Sequence, residues 1–168
     1  MVDAESDDAF NSDELEVWSA VATLLEWLPA ALDAQLQADS GLSHFEFGIL
    51  FALSEAEGRA LRMSELAGYA NSTLSRLSRA VGRLERKHWV QRAPDSNDGR
   101  ITVATLTDLG LDAVWAAQPG HVALVRRLVF DSLTRSQARA LRESSRRVNA
   151  AIRDDGGWLP GGAGSSES

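Results

Sequence analysis

The sequence predicts a mainly α-helical fold with one β-hairpin, and two observations support this prediction. Apolar residues recur at steps of three and four over most of the 168 residues, which is the period of amphipathic helices. Two short segments only, residues 89–92 and 101–106, are typical of strands, and a turn-rich loop separates them. The chain contains no cysteine, so no disulfide or Cys-ligated zinc holds the fold together.

The first predicted helix follows an acidic segment. Residues 1–12 are polar and acidic, a composition typical of a disordered arm. From residue 13 to about residue 40, apolar residues form one continuous helical stripe. Pro29 lies inside this stripe, so we expect a kink or a break there. The stripe is long for a domain of this size, and it suits a partner subunit as well as the chain's own core.

Three helices are predicted in the middle of the chain. Ser43 and Glu46 have the spacing of a capping box and begin a helix that ends near Gly58. A short helix over residues 64–69 is followed by a turn and then by a stronger helix over residues 72–86. The apolar positions of the stronger helix are Leu74, Leu77, Val81 and Leu84.

The predicted hairpin occupies residues 89–106. Its second strand is rich in β-branched residues that alternate with others, which favours a half-buried strand. The loop over residues 93–100 contains Pro, Asn and Asp-Gly, which are turn signals. This loop is longer than a tight turn requires, so we expect it to project from the body.

Two more helices are predicted after the hairpin. Thr107 caps the first of them, and Pro119 with Gly120 is expected to interrupt it before it resumes at His121. Thr134 and Gln137 form a second capping box that begins the last helix. Residues 156–168 are rich in Gly and Ser, which predicts a disordered tail.

The net charge of −7 is unevenly distributed along the chain. Residues 1–58 contain thirteen acidic residues and no Lys or Arg, whereas residues 59–100 contain nine basic and four acidic residues. Binding to the phosphates of a nucleic acid depends more on a local basic surface than on the net charge of the whole chain. The acidic net charge therefore does not exclude nucleic acid as a partner.

The predicted order of a short helix, a tight turn, a second helix and a projecting hairpin is that of a winged helix-turn-helix. In this arrangement the second helix enters the major groove of DNA and the hairpin tip reaches the neighbouring minor groove. Small polar side chains at the helix start allow close approach, Arg76 can reach a guanine edge, and Asp98 is placed to hold Arg100 by a salt bridge. The predicted DNA-binding residues are Ser72, Thr73, Ser75, Arg76, Arg79, Arg83, Asp98 and Arg100.

Several segments carry a family resemblance between residues 42 and 141. They are MSELA at 63–67, STLSRL at 72–77, RLERKHWVQR at 83–92, DGR at 98–100 and LTDLG at 106–110. Together they resemble the MarR family of bacterial transcriptional regulators. The chain departs from the family pattern at Ile101, where a second wing Arg is common, and at His88, where the family favours Gly. Histidine adopts positive φ more readily than most residues, so the turn at His88 is expected to persist.

The resemblance implies a homodimer built on a single domain over residues 13–155. Its dimerisation helices would be residues 13–40 and 108–155, and its winged helix-turn-helix residues 42–107. Two-fold symmetry implies a pseudo-palindromic operator in double-stranded DNA, with half-sites about one helical turn apart. The family further implies a repressor released by a small, often aromatic, ligand, and the acidic N-terminus and short uncharged stretches predict a cytoplasmic protein. Release of the repressor from DNA by cysteine oxidation is excluded because the chain has no cysteine.

The candidate ligand-binding residues are aromatic or histidine side chains near the predicted dimer helices: Trp18, Trp27, His44, Phe45 and Trp115. For any one of them, a place in the core is the commoner role of such a side chain at helical spacing. The three histidines are scattered in sequence, so we expect no metal site, and no motif indicates a cofactor or an enzyme. The longest uncharged stretch, residues 113–125, is too short for a membrane span. A helical ligand carrier or protein-interaction module without DNA binding remains the alternative.

Overall fold

The computed structural model describes residues 9–154 of the chain. The predicted disordered tail, and residues 1–8 of the predicted disordered arm, lie outside the described residues. The end of the arm differs from the prediction, because Asn11 forms a capping box with Glu14 and the first helix begins at Ser12. A capping box satisfies backbone donors that a helix terminus leaves free, which favours a helix start at this point.

The predicted mainly α-helical fold is confirmed, and six helices account for most of the described residues. They are α1 (Ser12–Ser40), α2 (His44–Glu55), α3 (Met63–Tyr69), α4 (Leu74–Arg86), α5 (Asp108–Val125) and α6 (Arg135–Asp154). A turn of π-helix over Arg126–Phe130 extends α5. The capping boxes predicted for α2 and α6 are both present, since the backbone N–H of Glu46 and of Gln137 bonds to the predicted hydroxyl.

The sheet has three antiparallel strands rather than the two of the predicted hairpin. They are β1 (Ala60–Arg62), β2 (Val90–Pro94) and β3 (Thr102–Leu106), arranged in the order β1-β3-β2. Ala104 at the centre of β3 lies opposite Leu61 on one side and Arg92 on the other. Sequence reasoning missed β1 because three residues are too few for an alternating pattern to be seen.

The core lies between α2, α3, α4, α5 and the sheet. Its fully buried large side chains are Leu36, Leu42, Ile49, Leu50, Leu53, Leu66, Leu77, Val81, Leu84, Val90 and Val114. Leu74 differs from the prediction, because 54% of it is exposed while Ala80 faces the core instead. Leu74 lies in the first turn of α4, at the edge of the buried face, so it reaches solvent.

Neither proline breaks its helix. α1 continues through Pro29 and α5 through Pro119, so the predicted interruption at Pro119 and Gly120 is wrong. Gly120 instead allows α1 and α5 to pack closely, because a Cβ built on it would lie 2.6 Å from the Asp39 carboxylate. The Pro-Gly pair therefore marks a helix contact rather than a helix end.

A large apolar surface remains exposed on the long helices. In α1 only Leu32 and Leu36 are buried, and α6 has no buried side chain within its described part. The exposed apolar residues of these helices and the π-helical turn are Leu15, Val17, Trp18, Val21, Leu24, Leu25, Trp27, Leu128, Phe130, Leu141, Val148 and Ile152. By length and composition alone, α1 would also suffice to cross a membrane, although helices of non-membrane proteins pass the same test.

Candidate nucleic-acid interface

A tight turn joins α3 to α4. The backbone N–H of Ser72 donates to the carbonyl of Ala67 at 3.0 Å, and Asn71 adopts a positive φ of 42°. Thr73 caps α4, since its hydroxyl accepts from the backbone N–H of Arg76. The helix thus begins at Leu74, two residues later than predicted, and Ser72 and Thr73 belong to the turn.

The exposed face of α4 is polar and basic. Its exposed residues include Ser75, Arg76, Arg79, Arg83 and Arg86. The Arg76 guanidinium lies over the ring of Phe45, with Cζ 4.5 Å from the ring centroid. Arg79 and Arg86 form no ion pair with any described residue. Cationic donors without a protein acceptor are suited to phosphate or to base edges.

Arg83 differs from the other arginines of this face because it has a carboxylate partner among the described residues. Its Nε lies 2.6 Å from Oε1 of Glu46, whose side chain is almost fully buried. The other carboxylate oxygen of Glu46 accepts from the backbone N–H of Ser43. Arg83 therefore compensates a buried charge and ties α4 to the start of α2, a role that sequence reasoning did not anticipate for a predicted DNA contact.

The wing tip carries the predicted salt bridge between Asp98 and Arg100. Nε and Nη2 of Arg100 donate to the two carboxylate oxygens of Asp98, each at 3.0 Å, while Arg100 stays 90% exposed. The bonds from Arg100 lower the pKa of Asp98, and the same contact raises the pKa of Arg100. Asp95 orders the loop, since its carboxylate accepts from the backbone of Asn97 and Asp98.

A second arginine, Arg92, connects the wing to α4. Its Nε donates to Glu85 Oε2 at 2.9 Å, its backbone N–H donates to Glu85 Oε1 at 3.0 Å, and its Nη1 donates to Ser78 Oγ at 3.0 Å. These bonds lower the pKa of Glu85. Sequence reasoning missed this contact, because no local pattern pairs a helix residue with a strand residue seven positions later.

The connection between α4 and β2 depends on His88. His88 adopts a φ of 61°, the left-handed conformation that glycine favours. The hydroxyl of Thr107 donates to the carbonyl of His88 at 2.7 Å and so holds this turn against the start of α5. The turn expected at His88 is therefore present.

A cleft of about 580 Å³ lies between α1, α2, the helix-turn-helix turn and the start of α4. It is lined by Pro29, Ala30, Asp33, His44, Phe45, Gly48, Tyr69, Ala70, Asn71 and Arg76. Two of the five candidate ligand residues, His44 and Phe45, are brought together here. Trp18, Trp27 and Trp115 lie elsewhere and are 50%, 75% and 58% exposed.

His44 of α2 and His121 of α5 are stacked beside this cleft, with ring centroids 6.2 Å apart. Nδ1 of each ring is buried and has no hydrogen-bond partner among residues 9–154. Burial lowers the pKa of both histidines; nearby Asp33 partly opposes this at His44, and His44 adds to it at His121. No group of three or more potential metal ligands occurs in the described part of the chain.

The helix-turn-helix, the three-stranded sheet and the projecting hairpin define a winged helix-turn-helix protein. The model of the MarR family matches residues 40–101. Sco3205 from Streptomyces coelicolor, a MarR family transcriptional regulator solved in complex with DNA, is 42% identical to this chain; the alignment covers 86% of this chain and 94% of Sco3205, with a TM-score of 0.83. The chain therefore belongs to the MarR family, whose members are transcriptional regulators and not enzymes.

Two further relatives agree with this assignment. AbsC from Streptomyces coelicolor, also a MarR family transcriptional regulator, is 32% identical, with 87% of this chain and 98% of AbsC covered and a TM-score of 0.82. The HTH-type transcriptional regulator YdcH from Bacillus subtilis is 29% identical over 84 residues, which are 49% of this chain. That match spans 57% of the length of YdcH.

Proposed function

We propose that this protein is a dimeric transcriptional regulator that binds a specific pseudo-palindromic site in double-stranded DNA. The observation that carries the proposal is the pairing of an exposed arginine face on α4 with an ordered arginine at the wing tip. Arg76 and Arg79 lack a carboxylate partner in the described part of the chain, and Asp98 fixes Arg100 in an exposed position. A regulator needs these two elements to contact adjacent grooves of one duplex.

The start of α4 would enter the major groove. Ser75 and Arg76 lie in its first turn, where a recognition helix contacts base edges, and Arg76 would bond bidentately to guanine. Arg79 lies further along the helix and would contact phosphate. Arg100 would enter the neighbouring minor groove, where the negative potential favours a guanidinium. Arg83 contributes by holding α4 against α2 through Glu46.

The exposed apolar surface of α1 and α6 supports a homodimer. Two copies of the chain would bury this surface in a two-fold interface and place two winged units side by side. The acidic residues of α1 would then lie away from DNA, since residues 59–100, which include α4 and the wing, carry nine basic and four acidic residues. A partner copy explains the apolar length of α1 better than a membrane does, because α5 and α2 already pack against its second half.

The regulator would act as a cytoplasmic repressor released by a small ligand. The cleft beside α4 supports this, because its walls are mainly apolar and Arg76 is the one arginine or lysine among the residues that line it. An aromatic acid would place its ring against Phe45 and its carboxylate near Arg76. Such a ligand would draw Arg76 away from the DNA.

The proposal is tested by DNA binding and oligomeric state together. Arg76→Ala and Arg100→Ala should each weaken binding to the operator by about tenfold, with unchanged thermal unfolding. Arg139→Ala, which removes an exposed arginine of α6, is the matched control and should bind as the wild type does. Sedimentation should give a dimer. A monomer without affinity for DNA would favour the helical ligand-carrier or protein-interaction alternative.

A further inference from the structure

Arg92 is basic and lies in the wing, yet its guanidinium bonds to side chains of α4. The guanidinium follows one side of α4, where it bonds to Ser78 and Glu85 and lies against Gly82. A Cβ built on Gly82 would already be 3.7 Å from Nη2 of Arg92. The side chain is about 70% buried, since its exposed fraction is 30%.

The bonds of Arg92 join the two elements that the proposed function places on DNA. Glu85 belongs to the last turn of α4, and Arg92 belongs to β2, which leads to the wing tip. Glu85 accepts from both the side chain and the backbone of Arg92, so the bonds fix the position of the strand as well as that of the guanidinium. A planar guanidinium with several donors is better suited to this than a lysine ammonium.

From this geometry we propose that Arg92, through Glu85 and Ser78, is a positioning residue that fixes the wing relative to α4 and so sets the spacing between Arg76 and Arg100 on DNA. The proposal rests on the proposed function, because it concerns how the two DNA-contacting elements are kept in register. Arg92 thus differs in role from Arg79 and Arg86, which have no carboxylate partner among the described residues and would bind phosphate directly. The wing then contributes affinity only while Arg92 holds it in place.

The first test separates positioning from direct phosphate contact. Each phosphate contact that is lost lowers the slope of log affinity against log salt by about 0.9. In an Arg100→Ala background, adding Arg92→Ala should leave the salt slope unchanged, because the wing contact is already gone. Adding Arg86→Ala, the matched control, should lower the slope by about 1.8, because each half of the proposed dimer loses one contact. A similar fall with Arg92→Ala would show that Arg92 binds phosphate and would overturn the proposal.

The second test uses Glu85→Gln, which keeps the charge of Arg92 and removes an acidic group close to DNA. If Arg92 positions the wing, this substitution should weaken operator binding several-fold, and Arg100→Ala should then cost less than it does in the wild type. If Arg92 is instead a phosphate contact that Glu85 restrains, the substitution should strengthen binding, and the proposal fails. Glu85 is partly exposed, so the variant is expected to fold.

These results are separable from a failure of the proposed function. If Arg76→Ala and Arg100→Ala bind DNA as the wild type does, the assignment of the DNA surface itself is wrong. If both weaken binding but the effects of Arg92→Ala and Arg100→Ala are strictly additive, the DNA surface stands and the positioning role of Arg92 falls. Arg92→Lys provides a further check. Lysine keeps the positive charge but lacks the planar guanidinium with its several donors, so this variant should bind DNA as Arg92→Ala does.

Discussion

The guanidinium of Arg76 lies over the ring of Phe45, with 4.5 Å between Cζ and the ring centroid. Arg76 belongs to the first turn of α4 and Phe45 to the first turn of α2, so the contact connects the proposed base-reading residue to the wall of the cleft. A cation held against an aromatic face keeps its in-plane N–H donors available. Phe45 thus restrains Arg76 without occupying the donors that a base would need.

Phe45→Leu should weaken operator binding by about two- to fivefold, since a cation–π contact at a partly exposed site contributes about 0.5–1 kcal/mol. The effect should disappear in an Arg76→Ala background, because Phe45 acts through Arg76. Titration of labelled operator at constant salt measures both. Equal losses in the presence and absence of Arg76 would mean that Phe45 supports the fold rather than the arginine.

Asp98→Ala gives a prediction whose sign opposes simple electrostatics. Removal of an acidic group from a DNA-binding surface should strengthen binding if charge alone mattered. Asp98 instead orders Arg100 through two bonds of 3.0 Å, so its loss frees a long side chain that must be immobilised again on DNA. We expect binding to weaken by about fivefold. Asp112→Asn, which neutralises an exposed acid on α5, should leave the affinity unchanged.

Leu74 is an exposed apolar residue on the side of α4 that we propose faces DNA, beside Ser75, Ser78 and Arg79. An apolar side chain in the major groove reads the C5-methyl group of thymine. Replacing one operator thymine at a time by uracil should therefore identify a position at which the wild type loses about 1 kcal/mol of binding free energy. Leu74→Ala should be insensitive to uracil at that position. Equal sensitivity in the two proteins would exclude a methyl contact by Leu74.

The starts of α2 and α6 were predictable because their determinants are local. Ser43 with Glu46, and Thr134 with Gln137, lie three residues apart, and each pair satisfies the backbone donors of its own helix. The bond between Asp98 and Arg100 is also local, since only Gly99 separates them. The order of elements in a winged helix-turn-helix was predictable because each element has a local signal of this kind.

The features that sequence reasoning missed depend on contacts that are distant in the chain. β1 exists because Leu61 pairs with Ala104 of β3, and Arg83 turns towards Glu46, which is 37 residues away. The predicted break at Gly120 fails for the same reason, because packing against α1 stabilises the helix there. The tryptophans of the predicted ligand site were chosen from their helical spacing. That spacing gives the face of the helix on which a side chain lies, but not which other element or chain packs against that face.

The stacked pair of His44 and His121 predicts that acid destabilises the fold. Burial lowers the pKa of both rings, so the folded chain resists protonation while the unfolded chain takes up protons near the ordinary histidine value of 6.5. The contribution of the pair to stability is therefore complete above pH 6.5 and is lost as the pH falls towards the lowered values. Urea unfolding of the wild type should show a lower midpoint at pH 5 than at pH 7.5. His121→Gln should show a smaller difference between the two pH values, and an undiminished difference would place the acid sensitivity in other groups.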